Sequence, residues 1–246
     1  MTTNCLNCNN EISGKFCSNC SQPTSTHRFS LHHVMQHDFI HGIFHFDKGF
    51  FFTMKELFTR PGHSIREYVQ GKRVRHFNYF ATIILLMTIG YFIKKWAKVD
   101  ATVLYDDKKT VEGLLKVLKD YSKITVFLNI PIISVVSYLF FRKSKQNYTE
   151  NLVLNLYLLC GTLAISLMLT ICLVFSDNKD FLVAVNYVAI VLTLLYVLIF
   201  YYQYFSVFGL KKYQLIIRVT IIAVLYLLIK QGTNTILNNI GLKYLH

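Results

Sequence analysis

The stretch LVLNLYLLCGTLAISLMLTICLVF at residues 152–175 decides the fold class, because it is apolar almost without interruption. A helix needs about 20 mostly apolar residues to cross the hydrocarbon core of a bilayer. Four further apolar runs meet or approach that length, at residues 77–96, 124–141, 181–208 and 214–230. The sequence therefore predicts an all-α integral membrane protein with about five transmembrane helices, forming a bundle over residues 77–246.

The composition is typical of a membrane protein and favours lipid over nucleic acid as the partner. Hydrophobic residues make up 53% of the chain and charged residues 16%, whereas soluble domains carry about 25% charged residues. The net charge of +13 is compatible with a nucleic-acid partner. The basic residues lie mainly beside the apolar runs, however, as in the cytoplasmic segments of membrane proteins. We therefore expect membrane lipids as partners and no nucleic acid.

Four cysteines near the start follow the spacing C-x2-C-x8-C-x2-C; they are Cys5, Cys8, Cys17 and Cys20. Two such turns supply the four thiolates that a structural zinc ion prefers, which predicts a zinc ribbon over residues 1–22, here called the head. The residue after each cysteine pair should adopt the left-handed backbone conformation. Asn9 suits that conformation well, and Ser21 suits it less well. Two disulfides or a redox pair are alternatives, but they need an oxidising compartment or a βαβ unit. A closed zinc site with four protein ligands leaves no catalytic position.

Histidines recur at every fourth position after the head, at His33, His37, His41 and His45. At 3.6 residues per turn they form a stripe roughly opposite an apolar stripe, which indicates an amphipathic helix. Three interpretations are open: a packed or interfacial helix, a second metal site, or a proton sensor. A lipid oxidase built on histidine pairs is disfavoured, since His246 is the only histidine after His76.

A basic segment, residues 48–76 and here called the collar, precedes the first apolar run. It holds seven Lys or Arg and two acids. Pro61-Gly62 should separate two short helices, with Thr53 and Ser64 as N-caps and Gly71 ending the second helix. We assign the histidine segment and the collar to one region, residues 23–76. Its candidate lipid- or partner-binding cations are Arg60, Arg66, Lys72, Arg73 and Arg75.

The stretch FHFDKGFFFTMKELFTRPGHSIREYVQGKR at residues 44–73, together with the four cysteines, resembles a bacterial membrane family known as domain of unknown function 3667. The resemblance is carried by the Asp-Lys-Gly stretch, the Arg-Pro-Gly turn and a tyrosine followed by Gly-Lys-Arg. It covers about the first 80 residues and implies an N-terminal zinc ribbon without an established activity. The family usually continues with Asn-Pro, whereas Tyr79 follows Asn78 here.

Charge and polarity along the chain indicate orientation and limit function. The start lacks the basic and apolar regions of a signal peptide, and the loops at 142–147 and 209–212 are basic. We therefore expect a multi-pass protein of the bacterial inner membrane with a cytoplasmic N-terminus. The five apolar runs contain no Asp or Glu. Their neutral polar residues are expected to form interhelical hydrogen bonds; they include Asn129, Asn155, Asn186 and Gln203.

These observations favour a non-enzymatic adaptor or regulator. Its head and collar would bind a cytoplasmic protein or anionic lipid. The alternative is a small oligomeric transporter or channel, with Asn129, Asn186 and Arg218 lining its path. A lipid-modifying enzyme using the histidine stripe is the third and weakest hypothesis.

Overall fold

The computed structural model describes residues 4–32, 34–36, 38, 49–97, 117, 127–172 and 178–244. Within these ranges the chain is predominantly helical, and β structure is limited to two isolated bridges, Asn4↔Glu11 within the head and Phe16↔Pro23 between the head and the residue after it. The prediction of an all-α chain is therefore confirmed for the described residues. The four histidines of the predicted stripe, His33, His37, His41 and His45, lie outside them.

Seven α-helices follow the head in the described part of the chain. They are α1 Gly49–Thr59, α2 Pro61–Val69, α3 Tyr79–Ala97, α4 Phe127–Phe140, α5 Tyr148–Cys172, α6 Lys179–Phe205 and α7 Lys212–Tyr244. A single 3-10 turn, Arg142–Ser144, joins α4 to the loop before α5.

Three of these helices, α5, α6 and α7, are long and apolar enough to cross a membrane. α4 and the apolar part of α3, Tyr79–Ile93, are shorter. At 1.5 Å per residue these described segments are about 21–23 Å long, less than the roughly 30 Å of a bilayer core. The prediction of five spans therefore stays a prediction for α3 and α4.

α5 is the central helix of the bundle. It packs against α3 and α6, and it also contacts α1 and α2. More than half of its most apolar window, 56%, is buried, against 17% for α6 and 22% for α7. The outer faces of α6 and α7 are thus apolar and exposed, the pattern of helices that face lipid.

The described helices α4 to α7 alternate in direction, as two contacts show. The side-chain amide of Gln146, just before α5, donates to the hydroxyl of Tyr204 in the last turn of α6 at 2.6 Å. Nη1 of Arg218, near the start of α7, donates to the carbonyl of Phe140 at the end of α4 at 2.5 Å. The ends of α4 and α6 therefore lie beside the starts of α5 and α7, at what we call the head end.

The two predicted N-caps in the collar are wrong, because both helices begin earlier. Thr53 and Ser64 lie inside α1 and α2. Pro61 starts α2, where its missing N–H is not needed. Both hydroxyls instead form tertiary hydrogen bonds. Thr53 accepts from the N–H of Phe77 at 2.7 Å, and Ser64 is hydrogen-bonded to His76.

Candidate metal centre and its attachment to the helices

The four head cysteines form one cluster in which all Sγ atoms lie within 4.8 Å of one another. Sγ of Cys5 is 3.6 Å from Sγ of Cys20, and Sγ of Cys8 is 3.5 Å from Sγ of Cys17. A disulfide bond would need about 2.05 Å. Thiolates about 2.3 Å from a tetrahedral ion would lie about 3.8 Å apart. The cluster therefore fits one metal ion and not two disulfides.

The two cysteine pairs share the same backbone turn. The N–H of Asn9 donates to the carbonyl of Cys5 at 2.8 Å, and the N–H of Ser21 donates to that of Cys17 at 2.9 Å. Asn9 and Ser21 both adopt the left-handed region, with φ of 62° and 60°. This confirms the conformation predicted from the spacing. The repeated turn brings the two halves of the cluster together as equivalent units.

Gln22, directly after the cluster, attaches the head to the turn between α2 and α3. Its side-chain Nε2 donates to the carbonyl of Gly71 at 2.8 Å, and its Oε1 accepts from the N–H of Arg73 at 3.2 Å. Gln22 is buried at this contact. A single amide therefore pairs with backbone groups on both sides of Lys72.

Glycine is favoured at position 71 for two reasons. Its φ of +117° lies in the left-handed half of the backbone map, which disfavours residues with a Cβ. A Cβ would also lie 2.8 Å from Cδ1 of Leu6 in the head. The N–H of Lys72 donates to the carbonyl of Glu67 at 3.0 Å and that of Gly71 to Tyr68 at 3.1 Å. This is the Schellman arrangement, and it confirms that Gly71 ends α2.

Arg73 fastens the linker that follows the head, residues 23–30. Its guanidinium lies 3.7 Å from the centre of the Phe29 ring, and Nη2 donates to the carbonyl of His27 at 2.8 Å. Phe29 in turn stacks on Tyr68 of α2 with ring centres 5.8 Å apart. The linker is thereby held on α2 by a cation–π contact, a hydrogen bond and an aromatic stack.

Arg28 joins the same linker to the first turn of α5. Nε and Nη2 each donate to a carboxylate oxygen of Glu150 at 2.7 Å. Glu150 also accepts from the N–H of Asn147 at 2.9 Å, while Asn147 Oδ1 accepts from the N–H of Glu150 at 2.7 Å. The latter two bonds form a capping box for α5. Hydrogen bonding to Glu150 raises the pKa of Arg28.

The candidate binding cations of the collar all have contacts within the chain. Arg60 pairs with Glu56 at 2.6 Å and with Glu67 at 3.2 Å. Lys72 lies 3.8 Å from Glu67, and the Arg75 guanidinium lies over the Phe52 ring at 4.3 Å. Side chains of Arg60 and Lys72 stay 43% and 48% exposed. Lipid or partner binding by these residues therefore remains a prediction.

The Arg-Pro-Gly turn packs α2 onto the end of α6. Nη1 of Arg66 donates to the carbonyl of Gln203 at 2.7 Å, and the N–H of Gly62 donates to Gln203 Oε1 at 3.1 Å. A Cβ on Gly62 would lie 2.1 Å from the carbonyl oxygen of Phe200. Only a glycine lets the two backbones come this close. A cation at the final carbonyls of α6 also suits the helix dipole.

His76 is a packed histidine between α1 and α2. Its Nε2 lies 2.8 Å from Oγ of Ser64. Its ring makes edge contacts with Phe52 and Tyr68, with centroids 5.2 Å away in both cases. Burial lowers the pKa of His76 to about 4. The residue is therefore neutral at physiological pH.

Polar residues inside the bundle form a closed network around Asn155 of α5. Its Nδ2 donates to Oγ of Ser137 at 3.2 Å and to Ser134 at 3.3 Å, both in α4. Its Oδ1 accepts from the hydroxyl of Tyr201 in α6 at 2.6 Å. These bonds confirm the predicted interhelical role of Asn155. The network links three helices through groups that are all buried.

The three residues proposed to line a transport path lie in different places. Asn129, near the start of α4, accepts a hydrogen bond from Thr233 at 2.5 Å. Arg218 contacts the other end of α4, at Phe140, and eleven residues of helix correspond to about 16 Å. Asn186 lies exposed on α6. The described residues thus do not bring these three side chains together.

The fold and the cluster define a class: a helical chain with three helices long and apolar enough to span a membrane, and a four-cysteine site that could bind a metal ion. Residues 47–89 match the family described as Protein of unknown function (DUF3667). This match confirms the resemblance to the DUF3667 family over residues 47–89 and does not extend to the four cysteines. No curated protein and no solved structure matches it.

The matched segment is the structural joint of the molecule. It covers α1, α2, the turn at Gly71 and the first half of α3. The head binds it at Gly71 and Arg73, and the bundle binds it at Gly62 and Arg66. Gly62, Arg66, Gly71 and Arg73 of this segment are therefore explained by contacts that connect the head to the helices.

Sequence reasoning did not find the residues that fasten the head. Leu6, Gln22 and Arg28 have no pattern of their own, and their partners lie far along the chain. Glu150 had a local signal, since Asn147 three residues earlier forms a capping-box pair with it. That pattern predicts the start of α5 but not the ion pair with Arg28.

Proposed function

We propose that the protein is a non-enzymatic membrane adaptor or regulator, whose zinc-folded head and collar bind a cytoplasmic protein partner at the bacterial inner membrane. The observation that carries this proposal is the attachment of the head through Gln22 to Gly71 and Arg73. A head fixed in this way presents its surface in one orientation relative to the helices. A rigid surface loses less conformational entropy when a partner binds.

The proposed topology has five spans, α3 to α7, with the N-terminus in the cytoplasm. Two contacts support spans that alternate in direction across the membrane. They place the ends of α4 and α6 beside the starts of α5 and α7. Basic residues collect at the head end, at 142–145 and 211–212. Basic loops on one side favour the cytoplasm for that side. Cysteine-accessibility labelling from each side of the membrane tests this topology.

The proposed metal is a structural zinc ion. Four thiolates in one cluster match its preferred ligands and leave no open coordination position. The head has little core of its own, so metal binding would supply the free energy that folds it. Metal analysis of the purified protein should give one zinc ion per chain. A second tightly bound ion would instead indicate the histidine stripe.

Phe16 is the candidate contact for the protein partner. Its side chain is 62% exposed on the head, and its backbone is fixed by the bridge to Pro23. Large aromatic side chains are frequent anchors of protein interfaces. An exposed aromatic side chain on the head is therefore a suitable contact for a protein partner.

The test is comparative capture of partners by the full-length chain in detergent. We expect a protein that binds the wild type and is lost with Cys5→Ser and with Phe16→Ser. Cys172→Ser is the matched control, since Cys172 is exposed in α5 and lies outside the cluster. Capture that is the same for all four proteins would contradict an adaptor that works through the head.

A further inference from the structure

A cleft of about 470 Å³ opens where the head, the collar and the helix bundle meet. Leu6 and Arg28 line it from the head and its linker, and Arg73 lines it from the collar. Lys145, Glu150 and Phe208 line it from the ends of the helices. The cleft therefore exists only when all three parts of the molecule are assembled.

The cleft carries an excess of positive charge. Three of its lining residues are cations, Arg28, Arg73 and Lys145, against one carboxylate, Glu150. Glu150 is already neutralised by two hydrogen bonds from Arg28, and its side chain is only 5% exposed. Among the described residues, Nη1 of Arg28 and Nζ of Lys145 have no hydrogen-bond or ion-pair partner. These groups remain available for an anion.

The same cleft has apolar walls. Leu6, Val69 and Phe208 line it beside the cations. A soluble phosphate would gain nothing from such walls, whereas the glycerol and first methylene groups of a phospholipid would bury apolar surface there. The combination of cations and apolar walls therefore fits an amphipathic anion.

The position of the cleft also fits a lipid. Glu150 lies in the first turn of α5, and Phe208 follows the end of α6 by three residues. α5 and α6 are both long and apolar enough to cross a membrane. In the topology proposed above, on which this step rests, the cleft lies at the level of the lipid headgroups.

We propose that this cleft binds the phosphate group of an anionic membrane phospholipid. Arg28, Arg73 and Lys145 contact the phosphate oxygens, and Leu6 and Phe208 contact the adjoining apolar part of the lipid. Nη1 of Arg28 donates a charge-assisted hydrogen bond to the phosphate, since Nε and Nη2 are already bonded to Glu150 and to the carbonyl of Lys145. Since Leu6 lies between two metal-binding cysteines, an intact metal site is needed for the complete cleft.

The experiment measures lipid binding to the purified full-length protein by native mass spectrometry, with phosphatidylglycerol against phosphatidylcholine. We expect the wild type to prefer phosphatidylglycerol and Lys145→Glu to bind it at least about fivefold more weakly. Lys143→Glu is the matched control, because it makes the same charge change at an exposed residue outside the cleft. Equal weakening by both variants would indicate diffuse attraction and overturn the proposal.

Two further measurements are needed. One distinguishes a phospholipid from free phosphate as the ligand, and the other distinguishes the lipid-binding proposal from the adaptor proposal. Displacement of bound phosphatidylglycerol by an equal concentration of inorganic phosphate would assign the cleft to a free anion and overturn the lipid assignment. Lack of displacement supports it. Lipid binding is measured without any protein partner, so a failed capture experiment with intact lipid selectivity would refute the adaptor and leave the cleft standing.

Discussion

Gln22 and Gly71 are 49 positions apart in the chain, yet the side-chain amide of Gln22 donates to the carbonyl of Gly71 at 2.8 Å in a buried contact. The same amide accepts from the N–H of Arg73 at 3.2 Å. The head is thus held by the backbone of the Gly-Lys-Arg turn, while the side chain of Arg73 contacts His27 and Phe29 and that of Lys72 lies 3.8 Å from Glu67.

Gln22→Ala should loosen the head, because the carbonyl of Gly71 would lose its partner while buried. We expect a loss of about 1–3 kcal/mol of docking free energy. Hydrogen–deuterium exchange should rise at residues 5–22 and 71–73. Gln70→Ala, which alters an exposed neighbouring side chain, should leave this exchange unchanged. Similar exchange in both variants would show that the contact does not hold the head.

Gly71→Ala should destabilise the same joint by about 1–2 kcal/mol, since the left-handed φ penalises a Cβ. Thermal unfolding in detergent would detect the loss. Gly14→Ala is the matched control, because a Cβ there meets nothing within 4 Å. Adding Leu6→Ala to Gly71→Ala should recover only the steric part of the effect. Full recovery would mean that the backbone conformation costs nothing.

Asn155→Leu should destabilise the bundle by about 1–2 kcal/mol, because Tyr201, Ser134 and Ser137 each lose a hydrogen bond with Asn155 inside it. Unfolding in detergent measures this loss. Asn186→Leu makes the same change on an exposed part of α6 and should be nearly neutral. Solute flux in liposomes that Asn186→Leu abolishes would instead support the transporter alternative.

The free energy of unfolding should decrease at acid pH because His76 becomes protonated. Its pKa is lowered to about 4 in the folded chain, from 6.5 in the unfolded chain, so the folded state favours the neutral ring. The contribution of His76 to the free energy of unfolding is fully present above pH 6.5. As the pH falls from 6.5 towards 4, this contribution is lost by at most about 1.4 kcal/mol per pH unit.

The measurement is the free energy of unfolding in detergent across that pH range. His76→Asn cannot titrate there and should show a shallower acid-induced loss than the wild type. His32→Asn, at an exposed position, should keep the wild-type slope. Parallel curves for wild type and His76→Asn would rule out His76 as a source of acid sensitivity.

Local patterns were sufficient to predict several parts of the structure. The spacing of Cys5, Cys8, Cys17 and Cys20 predicted the cluster, because each C-x2-C turn supplies two neighbouring thiolates to a tetrahedral metal ion. The apolar runs predicted α3 to α7, and each described helix starts within four residues of its run; α7, however, continues to Tyr244, well beyond the predicted end at residue 230. Gly71 was recognised as a helix end because glycine adopts the left-handed conformation without strain.

The N-caps show where local patterns failed. Thr53 and Ser64 each preceded a glutamate by three residues, which is the signature of a capping box. In the folded chain their hydroxyls contact the N–H of Phe77, just after the collar, and the ring of His76 at its end. A tertiary partner outweighed the local alternative, and nothing in the local sequence identifies that partner.

By itself, the sequence determined the helical class, the cluster of four cysteines and the turn at Gly71, because each depends on residues that are close together in the chain. Only the tertiary structure decided where the head sits, through Gln22 at Gly71 and Arg28 at Glu150. It also brought Lys145 and Phe208 beside the head to form the cleft. Such contacts join residues tens to more than a hundred positions apart, and their formation depends on packing of the whole chain.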